Sequence, residues 1–121
     1  MTTTYTHRPS CSSRQTPPCF GGEPVDSALD LETVAAIAKG LGHPARVSIV
    51  GLFGDGEARM TGDIVAVSGL AQSTVSEHLR ILRDAGILLS HRDGPRIWYC
   101  LHRPLLDAFT AAVSGLSRQC V

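Results

Sequence analysis

Five side chains between positions 72 and 80 carry the most informative chemistry in this chain of 121 residues. Gln72, Ser73, Ser76, Glu77 and Arg80 fall on one side of a helical pattern whose inner stripe is Val75, Leu79 and Leu82. An ordinary surface helix carries mostly Glu and Lys on that side. Short donor and acceptor side chains in the first turns are instead what reading base edges in a DNA major groove requires. Gln72 suits adenine, Ser73 and Ser76 suit several bases or phosphates, and Arg80 is placed for the backbone. Each has an ordinary explanation when taken singly: Gln72 and Ser73 cap a helix, and Arg80 with Arg83 forms a solvated face. Their order, followed by the arginines Arg92 and Arg96 on either shoulder of a hairpin, points to a duplex whose adjacent phosphates the hairpin straddles.

Thiols are the second chemistry. Cys11, Cys19, Cys100 and Cys120 are too few and too dispersed for a disulfide-stapled secreted scaffold, and a reducing compartment keeps such residues as thiols. Cys100 alone reads as a small buried hydrophobe and Cys120 as a tail thiol. Two more cysteines in a segment with no core pattern are harder to explain that way, and free thiols invite soft ligands. The alternative use of the same thiols is a redox switch, a disulfide such as Cys11 to Cys19 forming under oxidant. His43, His78, His91 and His102 are dispersed without metal-ligand spacing, and helix and surface positions explain them. A small thiol enzyme has no support, because nucleophile motif, phosphate loop and paired carboxylates are all missing.

The elements that must position these groups follow from periodicity and punctuation. Residues 1–26, with Pro9, Pro17, Pro18, Pro24, Gly21 and Gly22, read as a flexible cysteine-containing arm. Residues 27–118 read as one DNA-binding and dimerisation domain, and 119–121 as a tail. Ser27 and Asp30 stand as N-cap and first-turn acceptors of a helix running to about Gly40. His43-Pro44 opens a second segment, whose strand-like alternation is outweighed by Pro at its start and a length near ten residues. A short helix from Thr61, its N-cap candidate, through Val67 ends at Ser68-Gly69, and the polar-faced helix then runs to Gly86. Two β-favouring runs, Ile87 to Arg92 and Arg96 to Leu101, are joined by Asp93-Gly94-Pro95. A last helix from Arg103-Pro104 places Leu105, Phe109, Ala112, Val113 and Leu116 on one face, a pattern that suits a dimer interface as well as a core.

The composition is globular, 43% hydrophobic and 18% charged, and the length allows one core. Eleven basic residues balance eleven acidic ones, so total charge announces no nucleic-acid partner. Between Ala71 and Pro104 there are five Arg against three acids, a local excess that dimerisation doubles. The absence of a bilayer-spanning apolar run and of a leader pattern predicts a cytoplasmic protein without a membrane partner.

Three strings, Leu41-Gly42-His43-Pro44-Ala45-Arg46, the run from Ala71 to Leu82 with Ala85-Gly86, and Trp98-Tyr99, resemble the ArsR/SmtB family of winged helix-turn-helix repressors over about residues 30 to 116. The resemblance implies a mainly α fold with a β-hairpin wing, a homodimer on palindromic operator DNA, and release of the operator when a metal or metalloid binds. It implies base-reading positions at Gln72, Ser73, Ser76 and Glu77. Glu77 departs from the His often found there, and its carboxylate can accept from cytosine N4 or hold a neighbouring Arg. The family's Cys-Val-Cys site aligns with Met60 and Gly62 and is absent, and its C-terminal zinc site retains Asp107 without later histidines. The expected inducer is therefore trivalent arsenic or antimony on a trio drawn from Cys11, Cys19, Cys100 and Cys120.

Overall fold

A computed structural model describes residues 24–25 and 28–118. Among the described residues five helices and three strands follow in the order α1 (Leu31–Gly40), α2 (Pro44–Leu52), β1 (Arg59–Met60), α3 (Thr61–Ser68), α4 (Gln72–Asp84), β2 (Leu88–Asp93), β3 (Arg96–Leu101) and α5 (Arg103–Arg118). The mainly α fold with a β-hairpin is as the sequence predicts.

Local chemistry explains most boundaries. Asp30 caps α1 by accepting the Thr33 N–H at 2.9 Å, whereas Ser27 lies outside the described residues. α2 is a helix, settling the ambiguity of its alternating pattern. Pro44 occupies its first position and His43 caps it through Nδ1, which accepts the Ala45 N–H at 3.0 Å. At α3 the expected cap is corrected: Thr61 is the first helical residue and Met60 holds the cap position, its N–H donating to the Asp63 carboxylate at 2.9 Å. The Asp63 side chain reaches back to the cap residue's own N–H, a different donor from the first-turn N–H groups that a Thr61 hydroxyl would accept. α3 closes at Gly69, whose φ of 75° is a left-handed conformation that favours glycine.

One main core joins the first four helices to the hairpin. Ile37 of α1, Ile49 of α2, Phe53, Ile64 of α3, Val75, Leu79 and Leu82 of α4, Ile87, Leu88, Tyr99 and Leu101 form a single buried cluster. The sheet order is β1-β3-β2, all antiparallel. The two-residue β1 was not anticipated, because a strand so short has no period to read. It pairs Arg59 with Tyr99 and Met60 with Trp98, which makes β3 the central strand. Alternation along β3 sends Tyr99 and Leu101 into the main core and Trp98 and Cys100 to the other face, where they pack with Ala58 and Met60.

The last helix divides along its length. Ala108 is buried, and Leu105, Leu106 and Phe109 pack on the core, while Val113 and Leu116 near its end stay exposed. Leu31 of α1, which packs beside α5, is 81% exposed.

Of the described glycines, Gly40 has the tightest surroundings, where α1 meets the end of α4. A Cβ on Gly40 would approach the Ala85 Cβ to 2.8 Å, whereas a Cβ on Gly51 in α2 would meet nothing within 4 Å. Gly40→Ala should therefore destabilise the fold by about 1–3 kcal/mol. Gly51→Ala should stabilise it by about 0.5–1 kcal/mol by removing a helical glycine. Urea unfolding of both variants at one protein concentration checks the opposite signs.

Candidate nucleic-acid interface

Packing fixes which side of α4 meets solvent. Val75, Leu79 and Leu82 are wholly buried, and Gln72, Ser73, Ser76, Glu77 and Arg80 are all exposed. The capping explanation for Gln72 and Ser73 does not apply. They are the first two residues inside the helix, and the cap position is Ala71, whose side chain makes no capping hydrogen bond. Their polar groups and the first-turn N–H groups of α4 thus face outward together, an arrangement suited to phosphate and base edges.

Arg80 and Glu77 are not independent readers. Arg80 donates from Nη2 to Glu77 Oε2 at 2.6 Å and from Nη1 to Asp84 Oδ2 at 2.9 Å. The Arg80 hydrogen bond holds the Glu77 carboxyl below its ordinary range, and Glu77 in turn raises the Arg80 guanidinium. In the absence of DNA the Glu77 carboxylate thus holds the neighbouring arginine. All three side chains are about half exposed, so the pairs are weak and a phosphate can replace the carboxylates.

The hairpin turns at Gly94, φ 63°, and its register pairs Arg92 with Ile97 and Asp93 with Arg96. Arg92 and Arg96 therefore leave opposite faces of an exposed ribbon. Arg96 shares its face of β3 with Trp98 and Cys100, an alignment that periodicity along the strand could have shown.

Of the cysteines expected to hold a metalloid, only Cys100 falls among the described residues. Cys11, Cys19 and Cys120 lie outside them. Cys100 is completely buried and is disulfide-bonded. Among the described residues no group of three or more His, Cys, Asp or Glu side chains is arranged to hold a metal ion. No described helix is long and apolar enough to cross a membrane.

The histidines are less dispersed than they look in the sequence. His78 is buried in α4, its ring centroid is 4.8 Å from that of His43, and its Nδ1 lies 3.4 Å from Nη1 of Arg46. The available signal was its place at the inner stripe, between Val75 and Leu82 and next to Leu79.

Residues 43–90 match the model of a family described as bacterial regulatory protein, arsR family. The chain is 31% identical over 85 residues to the HTH-type transcriptional regulator YgaV of Escherichia coli, covering 70% of this chain and 86% of that protein. The crystal structure of the transcriptional repressor BigR from Xylella fastidiosa is 28% identical with a TM-score of 0.56, covering 74% of this chain and 89% of that one. The homodimeric winged helix-turn-helix DNA-binding domain of Mb0332 from Mycobacterium bovis shares the fold at 24% identity and a TM-score of 0.60, covering 83% and 93%.

Truncations should separate two kinds of contact. Arg92→Ala and Arg96→Ala should weaken binding to all duplexes alike and each lower the slope of log affinity against log salt by about 1. Gln72→Ala should cost about 1–3 kcal/mol against the preferred duplex and little against unrelated DNA. Fluorescence anisotropy over a salt series measures both.

Proposed function

The chain belongs to the ArsR family of bacterial regulatory proteins, and from that premise we propose that this DNA-binding transcriptional repressor acts as a homodimer on palindromic operator DNA and is released by a change in bonding at Cys100. The dimer reading is supported by Leu31, Val113 and Leu116, apolar and exposed on the packed pair α1 and α5. A second copy covering them would double the α4 and wing contacts along one duplex.

The observation that carries the release mechanism is the position of Cys100. It is a buried sulfur at the base of the wing, on the same strand face as Trp98 and Arg96. A bond made or broken there acts on the strand that carries the wing arginine, four residues or about 13 Å away. Two inducers suit such a sulfur. Trivalent arsenic or antimony needs two further thiolates, from among Cys11, Cys19 and Cys120. A thiol switch needs only one of them: two thiols and peroxide give a disulfide and two waters. The disulfide at Cys100 favours the thiol switch and moves it from the Cys11 to Cys19 pair to a pair that includes the wing.

The test is a mobility shift on a duplex selected by the reduced full-length protein. Peroxide should weaken binding by about 5- to 150-fold, a typical coupling, dithiothreitol should restore it, and Cys100→Ser should not respond. Release by arsenite but not peroxide would make the inducer a metalloid. A complex indifferent to both would reject thiol control altogether.

A further inference from the structure

The inner side of α4 carries one ionisable group that the DNA-reading face does not explain. His78 is 8% exposed, at a position where Val75, Leu79 and Leu82 bury hydrocarbon. It belongs to a polar chain that crosses three helices. Arg46 of α2 donates from Nε to the Gly40 carbonyl at the end of α1 at 2.7 Å, and from Nη1 to His78 Nδ1 at 3.4 Å. The His43 ring, which caps α2, stands against the His78 ring.

The protonation states follow from the donors. A guanidinium only donates, so the His78 Nδ1 that faces Arg46 must be a bare acceptor, with the ring proton on Nε2. A backbone N–H only donates, so the His43 Nδ1 that accepts from Ala45 is bare as well. A second proton on His78 would have to go on Nδ1. It would turn an accepted hydrogen bond into two opposed N–H groups and set an imidazolium against a guanidinium.

We propose that Arg46 and His78 are positioning residues for the DNA-reading helix, that they hold it only while His78 is uncharged, and that mild acid therefore loosens the operator complex. The proposal rests on α4 being the helix that meets the duplex. The groups facing His78 are His43 and Arg46 from α2 and Glu77 from α4 itself. Burial opposes its protonation most, then His43 and Arg46, while Glu77 favours it; the balance holds His78 below the ordinary imidazole range. The seated form thus takes up a proton less readily than one with the ring in water. It is fully favoured above about pH 6.5 and is lost as pH falls through the depressed value. The direction is diagnostic, because added positive charge on a DNA-binding protein ordinarily tightens the complex.

The experiment follows the affinity of the reduced full-length protein for its selected duplex from about pH 7.5 down through the midpoint of the His78 imidazole resonance, at constant ionic strength. Wild type should weaken by about fivefold or more. His78→Gln, whose neutral amide can still accept from Arg46, should bind as wild type does at the upper pH and not weaken in acid. Should that variant fail to fold by circular dichroism, the imidazole resonance of His78 in wild type decides: its midpoint must fall within about half a unit of the midpoint of affinity loss. Wild-type affinity that holds or rises on acidification overturns the proposal, as does a folded His78→Gln protein that weakens in parallel, or a displaced midpoint. The docking reading is tested separately at the upper pH by combining Gln72→Ala, Ser73→Ala and Ser76→Ala: unchanged affinity of that folded triple variant would remove the polar face of α4 from the duplex whatever the pH profile shows.

Discussion

The polar face proposed to meet DNA depends on the rotation of one helix about its own axis. Val75, Leu79 and Leu82 are wholly buried, and each residue along a helix turns the surface by about 100°. Advancing α4 by one position would drive Ser76 and Arg80 toward Ile49, Phe53 and Ile64 and bring apolar groups to the surface. Burying unpartnered hydroxyls and a charge is costly, and exposing the stripe forfeits about 1.5–3 kcal/mol for each large side chain. The reading face is therefore a consequence of the core. The near contact of Gly40 with Ala85 sets the end of the same helix against α1.

The wing is stiff at one end and open at the other, for a reason found in the sheet order. β3 lies between β1 and β2, and from Trp98 to Leu101 both of its faces are buried. Beyond Ile97 toward the turn, the ribbon is exposed through Arg92 and Arg96. A rigid root carrying a free tip suits phosphate contacts, because the root fixes direction while the arginine ends adapt. Cys100 is in the root, so a change in its bonding bears on the ordered part of the hairpin.

The helices, the hairpin and the polar face of α4 were legible in the sequence because each repeats a local pattern over several turns or pleats. The features that escaped it depend on contacts between distant segments. β1 becomes a strand only through Tyr99 and Trp98 of β3. Met60 takes the cap position of α3 because the Asp63 carboxylate is geometrically free to reach its N–H. The link of Arg46 to His78 spans 32 residues and two helices. Metal-ligand spacing does not single out His78, although its helical position places it among core residues. At Glu77 two roles are open from residue type alone, and without DNA its carboxylate is paired with the neighbouring Arg80.

A chain with no net charge binds DNA by local placement rather than by bulk attraction, and this bears on how it lets go. Arg80 is shared between Glu77 and Asp84, and Arg83 also lies near Asp84, so part of the basic character of α4 is neutralised before a phosphate arrives. In the proposed dimer each half then holds its site by a few well-aimed contacts with little nonspecific attraction in reserve. Under those conditions a bias of about 1–3 kcal/mol between two placements of a helix or wing is enough to empty an operator. A strongly basic protein given the same bias would slide to neighbouring sequence, still bound. Control by one buried sulfur or one buried imidazole is therefore plausible in energy because the surrounding surface is so nearly balanced in charge.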